Sequence, residues 1–293
     1  MEMEAECGMQ NAQPINTALP EAVGVTLTKM IDAFKERVSA AYILGSFARH
    51  MPSNVSDIDF AVILTHPVSE ADEKKMNMIV TDVQKMDLPY AARLSVFWGS
   101  VESLNTTSAI GRFPPLDRLD LIENSRLLHG NDIRKKLIRP TRRELIIAGA
   151  EFALEKLSEG KVNEALMQPE LFFPRLDDVH LTKIILMPVR LLYTALTGNI
   201  GYNDASVAYY TRHFPGSSAE LVSAAFRWRT ESPKNKTETI ALLLQHNALH
   251  TLYQQFMECY ITQLQQLGAP SKLVEHMVQW RSKWAGNRSG LVV

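Results

Sequence analysis

The chain is poor in cysteine, with Cys7 and Cys259 alone among 293 residues. That excludes a disulfide framework and fits a reducing compartment, so a cytoplasmic location is expected. Charge of one sign is also lacking: 31 Lys and Arg against 32 Asp and Glu leave a net charge of −1. Proteins that hold long nucleic acid usually carry a basic surface, so no long nucleic acid is expected as partner. No signal peptide and no apolar run near 18 residues stands out, so no membrane partner is expected. What is plentiful is apolar material, 46% of the residues, enough for two cores in a chain of this length.

The informative stretch is residues 45–59, GSFARHMPSNVSDID. Ala40 to Leu44 ahead of it is a short apolar run of strand character, and Gly45-Ser46 marks a turn leading into a short helix. A strand, a Gly turn and a helix start aim backbone N–H groups at one point, where Ser46 adds a hydroxyl, and phosphate is the natural guest. Ser56-Asp57-Ile58-Asp59 then enters the apolar run Phe60 to Leu64. Alternation along a strand puts Asp57 and Asp59 on one face, roughly 6 to 7 Å apart, with Ile58 and Phe60 in the core. Two such carboxylates repel unless a cation lies between them, and Mg2+ completed by substrate phosphates suits them.

In this order the residues resemble the signature of the polymerase-beta-like nucleotidyltransferases: hydrophobic-Gly-Ser, a spacer, then Asp-hydrophobic-Asp-hydrophobic. The resemblance implies an α+β fold, with a small mixed sheet flanked by helices, and divalent metal on Asp57 and Asp59. It also implies transfer of a nucleoside monophosphate from a triphosphate with release of pyrophosphate.

The remainder divides at Pro140. Residues 1–19 read as a loose polar tail, 20–138 as the nucleotidyltransferase domain, 139–286 as a helical domain and 287–293 as a second tail. Within the first domain we expect helices over Val25 to Val38 and Ser69 to Met86, with Ser69 as cap, and a third strand over Arg93 to Trp98. Helical spacing also marks Leu116 to Ile122, and Arg126 to Gly130 reads as part of a link. Beyond Pro140, apolar stripes mark helices over Arg142 to Leu157, Asp178 to Leu196, Asn203 to Tyr210, Ala219 to Arg229, Thr237 to Leu267 and Ser271 to Trp284, packed as a bundle. Pro188 falls inside the second and is expected to kink it. The basic run Arg134, Lys135, Lys136, Arg139, Arg142 and Arg143 reads first as a solvated junction face.

Residues 190–204, RLLYTALTGNIGYND, resemble the C-terminal domain of the streptomycin and spectinomycin adenylyltransferases. That likeness implies ATP as donor, AMP as the transferred group and a hydroxyl of a small polar acceptor such as an aminoglycoside. It assigns Gly45, Ser46, Ser56 and Arg190 to the nucleotide, Asp57 and Asp59 to catalysis and metal, Mg2+ as cofactor, and leaves room for a homodimer. Independently of it, an arginine on an otherwise apolar helix needs anionic company, which either a phosphate or an acid of the first domain supplies.

Two departures stand against the family pattern. Ser95 occupies the third strand where a third carboxylate is usual, and the nearest acid downstream is Glu102; Asn203 stands where a nucleotide-contacting lysine is common. A base from the helical domain is then needed, with Asp177, Asp178, Glu144 and Glu151 as candidates. The alternatives are a catalytically weak or inactive nucleotide-binding regulator of the same fold, or transfer of AMP to a protein side chain. Arg175 and His180 resemble the Arg-x4-His pair of helical ribonuclease toxins, a weaker rival. His246 and His250, four apart, lack a third metal ligand.

Overall fold

The computed structural model describes residues 19–53, 56–106, 111–158, 162, 164, 166, 177–231, 241–242 and 247–285. The first tail, apart from Leu19, lies outside them, as do the second tail, Arg175, His246, most of the 232–246 stretch and the side chains of Asp178 and Trp284. Helix α1 is Glu21–Phe34, four residues earlier than the apolar spacing suggests. Pro20 starts it, and Lys35 at φ 51 ends it before a short 3-10 turn at Lys35–Arg37.

Strand β1 is Val38–Leu44, α2 is the single turn Gly45–Ala48 and β2 is Ile58–Leu64. Helix α3, Glu70–Gln84, begins on a capping box in which Ser69 and Asp72 satisfy each other's backbone, as the Ser69 cap leads one to expect. Strand β3 is Leu94–Ser100, α4 is Val101–Asn105, α5 is Pro115–Asn124 and β4 is Arg126–Gly130. The sheet runs β3-β2-β1-β4, with β2 and β3 parallel and the other pairs antiparallel. The link expected at Arg126 to Gly130 is thus an edge strand: its backbone pairs with Ala40 to Ile43 of β1, a long-range contact that local spacing does not reveal.

Both faces of the sheet are covered, and parity along the strands decides what meets what. Ile58, Phe60, Val62 and Leu64 of β2 pack with Ala41, Ile43, Val96 and α1 and α3 residues such as Met30 and Met76. Ala61 and Ile63 face the other way, with Ala40, Tyr42, Leu44, Phe97 and Leu121 of α5. Asp59 shares the parity of Ala61, so it points to the side covered by α5.

The remaining helices are α6 (Arg142–Leu157), α7 (Asp178–Thr197), α8 (Asn203–His213), α9 (Ser217–Arg227), α10 (Ala248–Gln266) and α11 (Ser271–Ala285). They enclose a separate apolar cluster that includes Ile185, Leu192, Phe256, Met277 and Trp280. Helix α7 lies at its centre against α6, α8, α9 and α10, and Pro188 sits inside it without ending it. By length and composition Val179–Thr197 is apolar enough to cross a membrane, at mean hydropathy 1.3, but 61% of that window is buried in the protein. Lys183 and Arg190 conceal this run from a simple reading of the sequence.

The arginines of the basic run make specific bonds to other parts of the chain. Arg134 pairs with Asp132, Arg139 bonds Glu123 and the Gly198 carbonyl, and Arg142 bonds the Ala195 carbonyl at the end of α7. Glu144 pairs with Arg118 and closes the α6 capping box, while Asp177 caps α7 and pairs with His180. Both acids therefore have structural partners.

Candidate nucleotide and metal site

Gly45 adopts φ +64, the left-handed region where glycine is favoured, as the chain turns from β1 into α2. A Cβ at this position would lie 2.7 Å from Asp59 Oδ2, so the glycine is also what lets the turn approach the carboxylate. In the sheet, Leu44 stands opposite Asp59 and Asp59 lies beside Ser95. Ser46 is half-buried on the same turn. Ser56 is buried, and its hydroxyl accepts the Ser53 N–H at 2.9 Å, so in this structure it shapes the loop that delivers Asp57.

Two acids that sequence reasoning missed join this group. Asp120 of α5 accepts the Gly45 N–H at 2.9 Å and the Tyr202 hydroxyl, and is itself buried. Asp117, one helical turn earlier, presents its carboxyl to the same electrostatic neighbourhood. Burial, then the charges of Asp59 and Asp120, push it up to about 8. Asp59 is pushed up to about 6 by burial, then by Asp57 and Asp120. Asp120 is raised too, by burial, with Tyr202 and Gly45 as the strongest opposing donors. At these carboxylates burial and neighbouring negative charge outweigh the positive charge nearby. The signal for Asp117 and Asp120 was their i, i+3 spacing in PLDRLDLIE, legible as one helical face but without a partner until α5 is set on the sheet.

Cations approach from the helical side. Lys183 Nζ lies 3.1 Å from Asp57 Oδ2 and 3.5 Å from Oδ1. Arg190, seven residues further along α7 and so on the same face, donates Nε to the Gly201 carbonyl at 2.6 Å and counters the charges of Asp59, Asp117 and Asp120. Any Cβ at Gly201 would fall 2.2 Å from the Arg190 carbonyl, which is why that turn keeps a glycine. Arg229, just past α9, is held below the usual guanidinium range by burial, then by the charge of Arg190, with Asp57 countering. Lys183 was also missed, although it stands seven residues before Arg190; Arg229 had no sequence signal.

The structure thus brings Asp57 and Arg190 into the electrostatic neighbourhood of Asp59, sets the Gly45 turn, with Ser46 following, against Asp59, and buries Ser56. The donor set fits a hard divalent ion: Asp57 and Asp59 offer oxygen only, and Asp59 is under-neutralised as it stands. Among the described residues no three His, Cys, Asp or Glu converge at metal-binding spacing. The ion would therefore take its remaining oxygens from substrate and water, as Mg2+ commonly does.

No protein-family model and no curated protein sequence matches the chain. Among solved structures, it is similar to the crystal structure of spectinomycin adenyltransferase AAD(9) from Enterococcus faecialis with ATP and spectinomycin. The two superpose with a TM-score of 0.53 at 16% sequence identity, over 80% of this chain and 98% of that one. The chain accordingly shares its fold with that adenyltransferase structure.

Proposed function

We propose that the protein is a Mg2+-dependent nucleotidyltransferase that moves AMP from ATP to a hydroxyl of a small polar acceptor. Residues 20–138 form the catalytic unit, and 139–286 the helical unit that closes over the acceptor. The observation that carries this reading is that two opposite charge sets meet at one site. Asp57, Asp59, Asp117 and Asp120 stand on the sheet side, and Lys183, Arg190 and Arg229 on the helical side. The acceptor class is aminoglycoside-like, by likeness to the neighbour crystallised with spectinomycin.

Asp57 and Asp59 would hold the divalent ion, which when bound would supply positive charge beside the α-phosphoryl group and lower the pKa of the attacking hydroxyl. The Gly45 turn and Ser46 receive the terminal phosphates, and Arg190, Lys183 and Arg229 neutralise them. The acceptor oxygen forms its bond to the α-phosphorus, the bond to the β-phosphate oxygen breaks, and pyrophosphate leaves. Asp117 takes the hydroxyl proton, the duty for which Ser95 has no carboxylate to offer. Positioning and fixed charge supply most of the rate.

A second reading, a nucleotide-binding regulator without efficient transfer, is favoured by Ser95 lying directly beside Asp59 in the sheet. Transfer to a protein side chain is a third, since the chemistry at a hydroxyl is the same. Incubation with Mg2+ and α-labelled ATP against aminoglycosides, small metabolites and protein acceptors separates them. Label on a small molecule, lost in Asp57→Asn and Asp59→Asn, supports the proposal. Label on protein moves the acceptor to a side chain, and binding without transfer favours the regulator.

A further inference from the structure

Lys183 is the cation that reaches Asp57, and the way it is held differs from the way Arg190 is held. Arg190 is locked: Nε donates to the Gly201 carbonyl at 2.6 Å, and Gly201 packs against the Arg190 backbone. Lys183 sits two turns earlier on the same face of α7 and reaches across to the acid that opens β2, at 3.1 and 3.5 Å. Both partners remain substantially open to water, 42% for Lys183 and 39% for Asp57. An ion pair this exposed is weak and easily exchanged. A lysine also suits exchange better than an arginine, because its ammonium is a compact charge on a flexible stem, without a planar fork to align.

The ammonium therefore occupies one side of the carboxylate that a divalent ion needs, in a cleft that also takes triphosphate on the functional reading above. We propose that Lys183 serves two anions in turn: Asp57 in the ligand-free protein, and the triphosphate once nucleotide and metal are bound. This inference rests on that reading of the site. Its consequence is a coupling between the two ligands. Without nucleotide, the lysine competes with the metal for Asp57; with nucleotide, the phosphates draw the lysine away and free Asp57 for the metal. Each ligand then favours the other, as linkage requires.

The test uses the full-length protein and two binding readouts that need no turnover. Mn2+ is titrated by electron paramagnetic resonance, with and without an ATP analogue carrying a methylene bridge between the α- and β-phosphorus, and binding of the analogue is followed separately. In Lys183→Met, Mn2+ alone should bind tighter, by about 2- to 5-fold, which is what an exposed pair is worth. The analogue should bind about 10-fold weaker or more, from loss of a charge-assisted contact. Lys183→Arg should keep most of the analogue affinity. Opposite signs for the two ligands are the signature, since a lysine that merely ties α7 to the sheet would weaken both when removed. Mn2+ binding lost in Asp57→Asn but unmoved or weakened in Lys183→Met overturns the lysine's role alone, as does unchanged analogue affinity. Mn2+ binding that is equal in the unmodified protein and Asp57→Asn overturns the metal reading of the site, and this inference with it.

Discussion

Gly45 gives its backbone N–H to the Asp120 carboxylate at 2.9 Å, which fastens helix α5 to the turn between β1 and α2. One glycine thus touches two acids from different elements, Asp120 through its N–H and Asp59 through the space where its Cβ would be. The turn, Asp59 and the acid-bearing helix are one unit.

Gly45→Ala should break that unit. The left-handed φ of +64 costs an alanine about 1 kcal/mol, which alone would be tolerated. The added methyl group would also meet Asp59 Oδ2 at 2.7 Å, and the carboxylate or the turn must move. The expected outcome is a folded protein with Tm lowered by a few degrees and with binding of Mn2+ and ATP analogue reduced at least 10-fold. Circular dichroism and the two titrations check it, and unchanged Mn2+ affinity would show that the approach to Asp59 is not what the glycine protects.

Asp117→Asn separates function from stability. Removal of a proton acceptor should slow transfer by about 10²- to 10⁴-fold while ATP-analogue binding persists. Stability should move the other way. Asp117, raised to about 8, and Asp59, raised to about 6, bind protons more readily folded than unfolded. Their contribution to stability is full below the unfolded value near 3.8 and is lost as pH rises through 6 and then 8. The ligand-free protein should therefore lose stability between about pH 4 and pH 8, and Asp117→Asn should flatten the upper part of that decline. Denaturant unfolding at pH 5 and pH 8.5 measures both. A variant no more stable than the parent at pH 8.5 would count against a strained carboxylate at this position. Such a trade-off, with strain kept where the chemistry is done, is common at active sites.

Much of this site was legible because its signals are local. Gly45, Asp57 and Asp59 lie within one short stretch whose alternation fixes the faces, and Arg190 stands out as a charge on an apolar helix. The capping residue Ser69 and most helices of the bundle follow from spacing and composition in the same way. Two things were not legible. Strand β4 is short and pairs with a strand far away in the chain, Ile43 of β1 opposite Arg126, so its state is set by a tertiary partner. Asp117 and Asp120 looked like ordinary helix carboxylates, and only the placement of α5 over the Asp59 face gives them a role. Ser95 leaves β3 without the acid that the resemblance leads one to expect, and on the function proposed above Asp117 of α5 takes its duty.

Arg49 and Asp204 supply a test of how the cleft is held. The pair is bidentate, at 3.0 and 2.7 Å, and the Arg49 guanidinium also lies 3.9 Å over the Tyr202 ring. Tyr202 in turn donates to Asp120. Side-chain exposures of 24% and 35% place the pair between surface and interior, so screening reduces its worth. A double-mutant cycle of Arg49→Ala and Asp204→Ala should give a coupling of about 1 kcal/mol, above an isolated surface pair because two charge-assisted bonds act together. Arg49→Ala should also weaken analogue binding, since Tyr202 and Asp120 lose the guanidinium that covers them. A coupling indistinguishable from zero would mean that the start of α8 is held by packing alone.

Asp72 offers a control far from the cleft, where the pH dependence should run in the opposite sense. It accepts both guanidinium nitrogens of Arg37, at 2.8 and 2.7 Å, and closes the capping box of α3 with Ser69. The Arg37 side chain, and then the Ser69 donors, hold its carboxyl well below the usual range despite its burial. A depressed folded value contributes stability that is present above the unfolded pKa near 3.8 and lost as pH falls through the folded value. Asp72→Asn should therefore cost about 1 to 3 kcal/mol at pH 7, from the cap and a half-exposed ion pair together. The same substitution should cost progressively less as pH drops below 4, where the unfolded carboxyl takes up its proton while the folded one stays charged. Unfolding curves of both proteins at pH 7 and pH 3 measure the difference. A penalty equal at the two pH values would mean that the substituted amide fails the cap by shape, and that the charge on Asp72 contributes nothing to holding α3 against Arg37.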